Sequence, residues 1–121
     1  MNPARLLETR AAESTIDGHF LGAGLLPAGT VTELAVTGRG GVPVGAGTVV
    51  LNVTVTAPTA PGFITVYPCG ITRPLTSNLN YEVGTTTANA AIVQVGTAGT
   101  VCLFNSNPTQ LVADVSGYLA N

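Results

Sequence analysis

Residues 48–56 read Thr48-Val49-Val50-Leu51-Asn52-Val53-Thr54-Val55-Thr56. Val49, Leu51, Val53 and Val55 point one way. Val50, Asn52, Thr54 and Thr56 point the other. A period of two with β-branched residues at every position but Leu51 and Asn52 is the pattern of a strand with one face on a core and one face toward solvent. Residues 90–96 repeat it, with Ala91, Val93 and Val95 against Ile92 and Gln94. Outward from these two segments, short β-branched runs alternate with glycine, proline and threonine clusters. Strands are predicted at about 5–10, 31–37, 48–56, 62–68, 77–83, 90–96, 99–105 and 110–119. Only residues 4–13 have helix-friendly composition, and they lack a 3.6-residue stripe.

The turns between the runs are explicit. Residues 38–43, GRGGVP, exclude regular structure. Residues 57–62, APTAPG, form a proline-braced connection. Residues 96–99, GTAG, read as a short hairpin loop with glycine available for positive φ. The expected fold is one all-β domain over residues 1–121. It is an antiparallel β-sandwich of about eight strands, jelly-roll or Ig-like, with a closed barrel or prism as the alternative. A weak duplication supports it: VVLNVTV-loop-GFITVYPC resembles AIVQVG-loop-GTVCLFNS, within about 31–68 and 77–105. The copies are expected to pack face to face.

Composition narrows the function. Only 8% of the 121 residues are charged and the net charge is −2. Lysine is absent, and the cations are Arg5, Arg10, Arg39 and Arg73. No basic face exists to follow a phosphate backbone, so nucleic acid is not an expected partner. No apolar run approaches the ~20 residues of a spanning helix. Surface polarity must come from hydroxyls and amides, which suits wet contacts with sugars or with a second copy of the chain.

Five segments together resemble a repeat module common in exported proteins of actinobacteria, especially streptomycetes. They are PARLLETR at 3–10, VTGRGGVP at 36–43, VVLNVTVTAPTAPGFITVYPCG at 49–70, RPLTSNLNYEVG at 73–84 and LVADVSGYL at 111–119. That module often occurs in tandem or appended to hydrolases and cell-wall enzymes. The resemblance implies an extracytoplasmic accessory role, secreted or at the cell surface, with the signal peptide outside this chain. It carries over no site residues.

The chemistry-bearing residues are few. Cys69 and Cys102 fall at the end of one strand and inside its counterpart in the duplication, at the parity of Tyr67 and Phe104. A disulfide worth roughly 3–4 kcal/mol is expected for an exported protein, with two buried thiols as the alternative. Two cysteines and one remote histidine, His19, do not make a zinc site, and no cofactor is expected. No G-x-S-x-G motif accompanies His19, so the chain does not read as an enzyme. Asp114, in a half-buried strand, needs a cation; an ion pair with Arg5 or Arg10 is expected to join the terminal strands. Tyr67, Tyr81 and Tyr118, with Asn78, Asn80 and Asn105 as hydrogen-bonding partners, are the candidates for a sugar platform; the alternative is that the tyrosines are core-edge residues with their hydroxyls reaching water. The functional expectation is a non-catalytic module for binding or adhesion to cell-wall or extracellular polysaccharide. Self-association into a surface or secreted assembly is the alternative.

Overall fold

The computed structural model describes residues 1–121 and contains eight strands. They are β1 (Ala4–Glu8), β2 (Thr30–Ala35), β3 (Ala46–Thr56), β4 (Gly62–Pro68), β5 (Leu79–Tyr81), β6 (Thr87–Gln94), β7 (Thr100–Asn105) and β8 (Gln110–Ala120). One sheet has the order β1-β8-β3-β6 and the other β2-β7-β4-β5, with all pairings antiparallel. Two open sheets exclude the barrel. Every connection except β4–β5 crosses from one sheet to the other. This strand order is a jelly roll of interleaved Greek keys, not an Ig-like sandwich.

The alternation read in residues 48–56 explains why β3 is central. Val49, Leu51, Val53 and Val55 are all buried between the sheets. They meet Leu34, Ile64, Val101, Leu103 and Leu111 in one 23-residue core. Burying such side chains stabilises by about 1.5–3 kcal/mol each, before entropy is counted.

The duplication has a different geometry from the one expected. Its members β3 and β6 are neighbours in the first sheet, and β4 and β7 are neighbours in the second. Each copy therefore spans both layers, and the copies lie side by side rather than face to face. The hairpin expected at residues 96–99 is likewise an arch. It carries the chain from β6 in one sheet to β7 in the other, through a single 3-10 turn at Thr97–Gly99. Its turn chemistry is as read, with Gly99 at φ 75°.

Several close approaches need glycine, Gly62 and Gly40 among them. A Cβ on Gly62 would lie 2.6 Å from the Tyr81 hydroxyl, and one on Gly40 would lie 2.8 Å from the Ala4 Cβ. Gly40 also sits at φ 58°, a left-handed conformation.

Next to Gly40, in the same glycine-rich turn, Arg39 ties distant segments together. Its side chain is 8% exposed. It donates to Asp17 Oδ2 at 2.7 Å and Oδ1 at 2.8 Å, to Ala35 O at 2.8 Å and to Leu6 O at 2.9 Å. Its guanidinium also lies 4.8 Å from the Phe20 ring centroid. These bonds tie the long β1–β2 connection to the sandwich. They hold the Asp17 carboxyl well below the usual carboxylate range. No helix is long and apolar enough to cross a membrane.

Candidate functional site

Each sheet has an outward face, and their polar chemistry differs. On the first sheet, Arg5 and Asp114 face each other across β1 and β8. Arg5 Nε donates to Asp114 Oδ1 at 2.9 Å and Nη2 donates to Oδ2 at 3.3 Å, a bidentate pair. Arg10 does not join Asp114. It grips Glu8, through Nη2 at 2.8 Å and Nε at 3.0 Å, and Arg5 Nη1 reaches the same carboxylate at 3.3 Å. Asp114, Arg5, Glu8 and Arg10 thus form an alternating, electroneutral ladder. Glu8 is fully buried within it. Burial pushes its carboxyl upward, but hydrogen bonds from Arg10 and the charges of Arg10 and Arg5 outweigh that and hold it below its usual value.

The outer face of the second sheet is built differently. On β4, Ile64 and Val66 face the core, so Phe63, Thr65 and Tyr67 face out. Opposite them on β7 are Phe104 and Cys102. Cys69 and Cys102 form a disulfide with Cα atoms 5.1 Å apart. Tyr67 and Phe104 pack against it.

The bond also fixes where the β4–β5 connection begins. Its far end is fixed by three hydrogen bonds. Thr65 Oγ1 donates to Thr76 O at 2.6 Å, Val66 N to Asn78 Oδ1 at 2.8 Å, and Asn78 N to Ile64 O at 2.8 Å. Residues 70–77 are therefore folded back over the outer face of β4, and Thr65 is buried beneath them. Arg73 lands on the ring of Phe104, 3.7 Å from its centroid. Phe63 sits beside that ring, with centroids 5.8 Å apart and planes inclined at 45°.

The result is an open cleft of about 280 Å³ lined by Phe63, Arg73, Leu75, Thr76 and Ser77. A second cleft of about 300 Å³ lies by the disulfide, lined by Glu33, Cys69, Gly70, Thr97, Ala98 and Thr100.

The residues expected to form a sugar platform are not brought together. Tyr67 faces out, but is 7% exposed. Tyr81 faces the core, where its hydroxyl donates to Asn107 O at 2.7 Å. Tyr118 lies in β8 of the opposite sheet. Asn105 is fully buried and donates to Pro27 O and Asn107 O, and its Oδ1 has no partner. Asn78 closes the loop described above. Asn80 alone of the set is exposed near the cleft, accepting from Ser77 Oγ at 2.8 Å.

Phe63 and Arg73 were not singled out by sequence. The parity of β4 places Phe63 outside, but Arg73 is positioned by tertiary contacts that no local pattern encodes. No three His, Cys, Asp or Glu side chains cluster as a metal site. Comparison with known proteins finds no matching family model, no similar curated protein and no similar solved structure.

Proposed function

We propose that this chain is a non-catalytic, extracellular accessory module that binds cell-wall or extracellular polysaccharide. Its binding site is the cleft of Phe63, Arg73, Leu75, Thr76 and Ser77. The observation that carries this reading is the combination in one open cleft of an aromatic wall, an exposed leucine rim and two hydroxyls. Leu75 is 95% exposed, an apolar side chain that folding leaves unused. A pyranose ring has apolar faces and hydroxyl edges, and those surfaces match in kind. The five lining residues include no carboxylate and no histidine, so the cleft supplies no acid–base pair for glycoside cleavage. The disulfide and the resemblance to exported actinobacterial modules support a location outside the cytoplasm.

The test is a glycan array combined with a polysaccharide pull-down, using the native chain, Phe63→Ala and Leu75→Ser. Retention by the native chain and its loss in both variants is the expected result. Leu75→Ser touches no core residue, so its melting temperature should be unchanged. A blank array and pull-down for the native chain would remove the reading.

A second reading, self-association, is favoured by strand β6. Of the four edge strands it is the longest, at eight residues. Its sequence TANAAIVQ has no charge and no proline, and Ile92 is 75% exposed. The duplication sharpens the point, because β8 flanks β3 while the equivalent flank of β6 is vacant. Pairing of β6 with its copy would extend the first sheet across a two-fold axis. Light scattering that finds only monomer over a wide concentration range would eliminate it.

A further inference from the structure

Three of the four arginines are neutralised within the fold. Arg5 and Arg10 contact Glu8 and Asp114, and Arg39 contacts Asp17. Arg73 contacts no carboxylate, and its guanidinium makes no intramolecular hydrogen bond; its partner is the face of Phe104. Stacking uses the flat face of a guanidinium and leaves the N–H donors around its edge free. The ring and the anchored loop also limit the orientations of the side chain, so less freedom is lost when those donors are engaged. A half-buried, pre-oriented, unneutralised cation lining a cleft is the arrangement expected for a planar oxyanion.

Resting on the glycan reading above, we infer that the ligand of this cleft is an acidic sugar unit. Its carboxylate pairs with the edge of Arg73 while its ring lies against Phe63, with Thr76 and Ser77 near its hydroxyls. The rest of the molecule argues that such recognition is local. With a net charge of −2 the chain repels a polyanion on average, so general attraction cannot supply the affinity. Glu13, Glu33 and Glu82 take part in no ion pair, and none of them lines this cleft. The carboxylate therefore meets no like charge among the lining side chains. Glu33 lines the second cleft, at the other end of β4, which makes that cleft the wrong one for an anion.

The experiment is calorimetric titration of the full chain with polygalacturonate, alginate and hyaluronate, and with the carboxyl-methylated form of each. Neutral β-glucan and a glycerol-phosphate polymer are run beside them. At least one carboxylated polymer should bind, and methylation should weaken it about tenfold, the scale of one partly exposed charge-assisted contact. Arg73→Gln should abolish the difference between free and methylated polymer. Arg73→Lys, which keeps the charge without the planar fork, should restore only part of it. A melting curve on each variant confirms that the fold persists. Equal binding of free and methylated forms, or binding of neutral glucan alone, overturns the acidic-sugar inference and leaves the glycan reading standing; binding of the phosphate polymer alone overturns both. No binding to any polymer overturns both.

Discussion

The two outward faces of the sandwich use the same residue type for opposite ends. On the first sheet, Arg5 and Arg10 are spent on Glu8 and Asp114, and the ladder is neutral and closed. On the second, Arg73 lies on an aromatic ring with its donors unclaimed, held there by a loop that the disulfide and Thr65 anchor. In a chain with only four cations, charge that the fold consumes is structural, and charge that the fold leaves open is available to a ligand.

The contrast breaks most visibly at the disulfide. Replacing both Cys69 and Cys102 with serine opens a link across 33 residues. It should cost about 3–4 kcal/mol on the chain-entropy model, read by chemical denaturation. Because the link fixes the start of the loop carrying Arg73, glycan binding should weaken in the same variant. A stable variant with full binding would show that the loop does not depend on it.

Next comes Glu8. Its replacement by alanine leaves two arginines facing each other without their shared anion, and should cost about 2–3 kcal/mol with no change in ligand binding. The acid limb of the stability curve tests the same carboxylate without mutation. Glu8 and Asp17 have folded values below their unfolded ones. The unfolded chain therefore takes up protons first as pH falls. Their stabilisation is complete above about pH 5 and is lost progressively below about pH 4 as the folded values are crossed. The acid loss should be smaller in Glu8→Ala than in the native chain.

The smallest stability effects sharpen the comparison furthest. Asp114→Ala should cost about 1–2 kcal/mol and leave binding untouched. Arg73→Gln should cost about 0.5–1 kcal/mol, the worth of its stacking, and yet weaken binding of the carboxylated polymer about tenfold. Melting curves and titrations on the two variants give a double dissociation if the faces have the separate roles assigned to them.

Much of the sandwich was legible because alternation is a local signal. β3 and β6 keep the parity read in their sequences, with Ala91 and Val93 in and Ile92 and Gln94 out. β5 is only Leu79–Tyr81, shorter than the polar run around it implied, because Asn78 leaves the ladder to close the loop. What local patterns do not encode is which sheet a strand joins. Residues 96–99 have hairpin chemistry, yet they bridge the two layers, since only the whole strand order decides whether neighbours in sequence pair. The same limit hid the site. Tyrosines with asparagines nearby looked like a sugar platform, but Tyr81 and Asn105 are needed inside to satisfy Asn107, Pro27 and each other's surroundings. Phe63 was readable from the parity of β4. Arg73 and Arg39 were not, because each is defined by partners distant in sequence.

The most direct measurement is an amide and arginine side-chain NMR titration of the isotopically labelled chain with oligosaccharides of polygalacturonate, alginate and hyaluronate in turn. Shifts concentrated at Phe63, Arg73, Thr76 and Ser77, with Arg5 and Arg10 unmoved, are the expected result. Shifts confined to the Arg5–Glu8–Arg10 ladder, or none anywhere, would contradict the division of labour between the two faces.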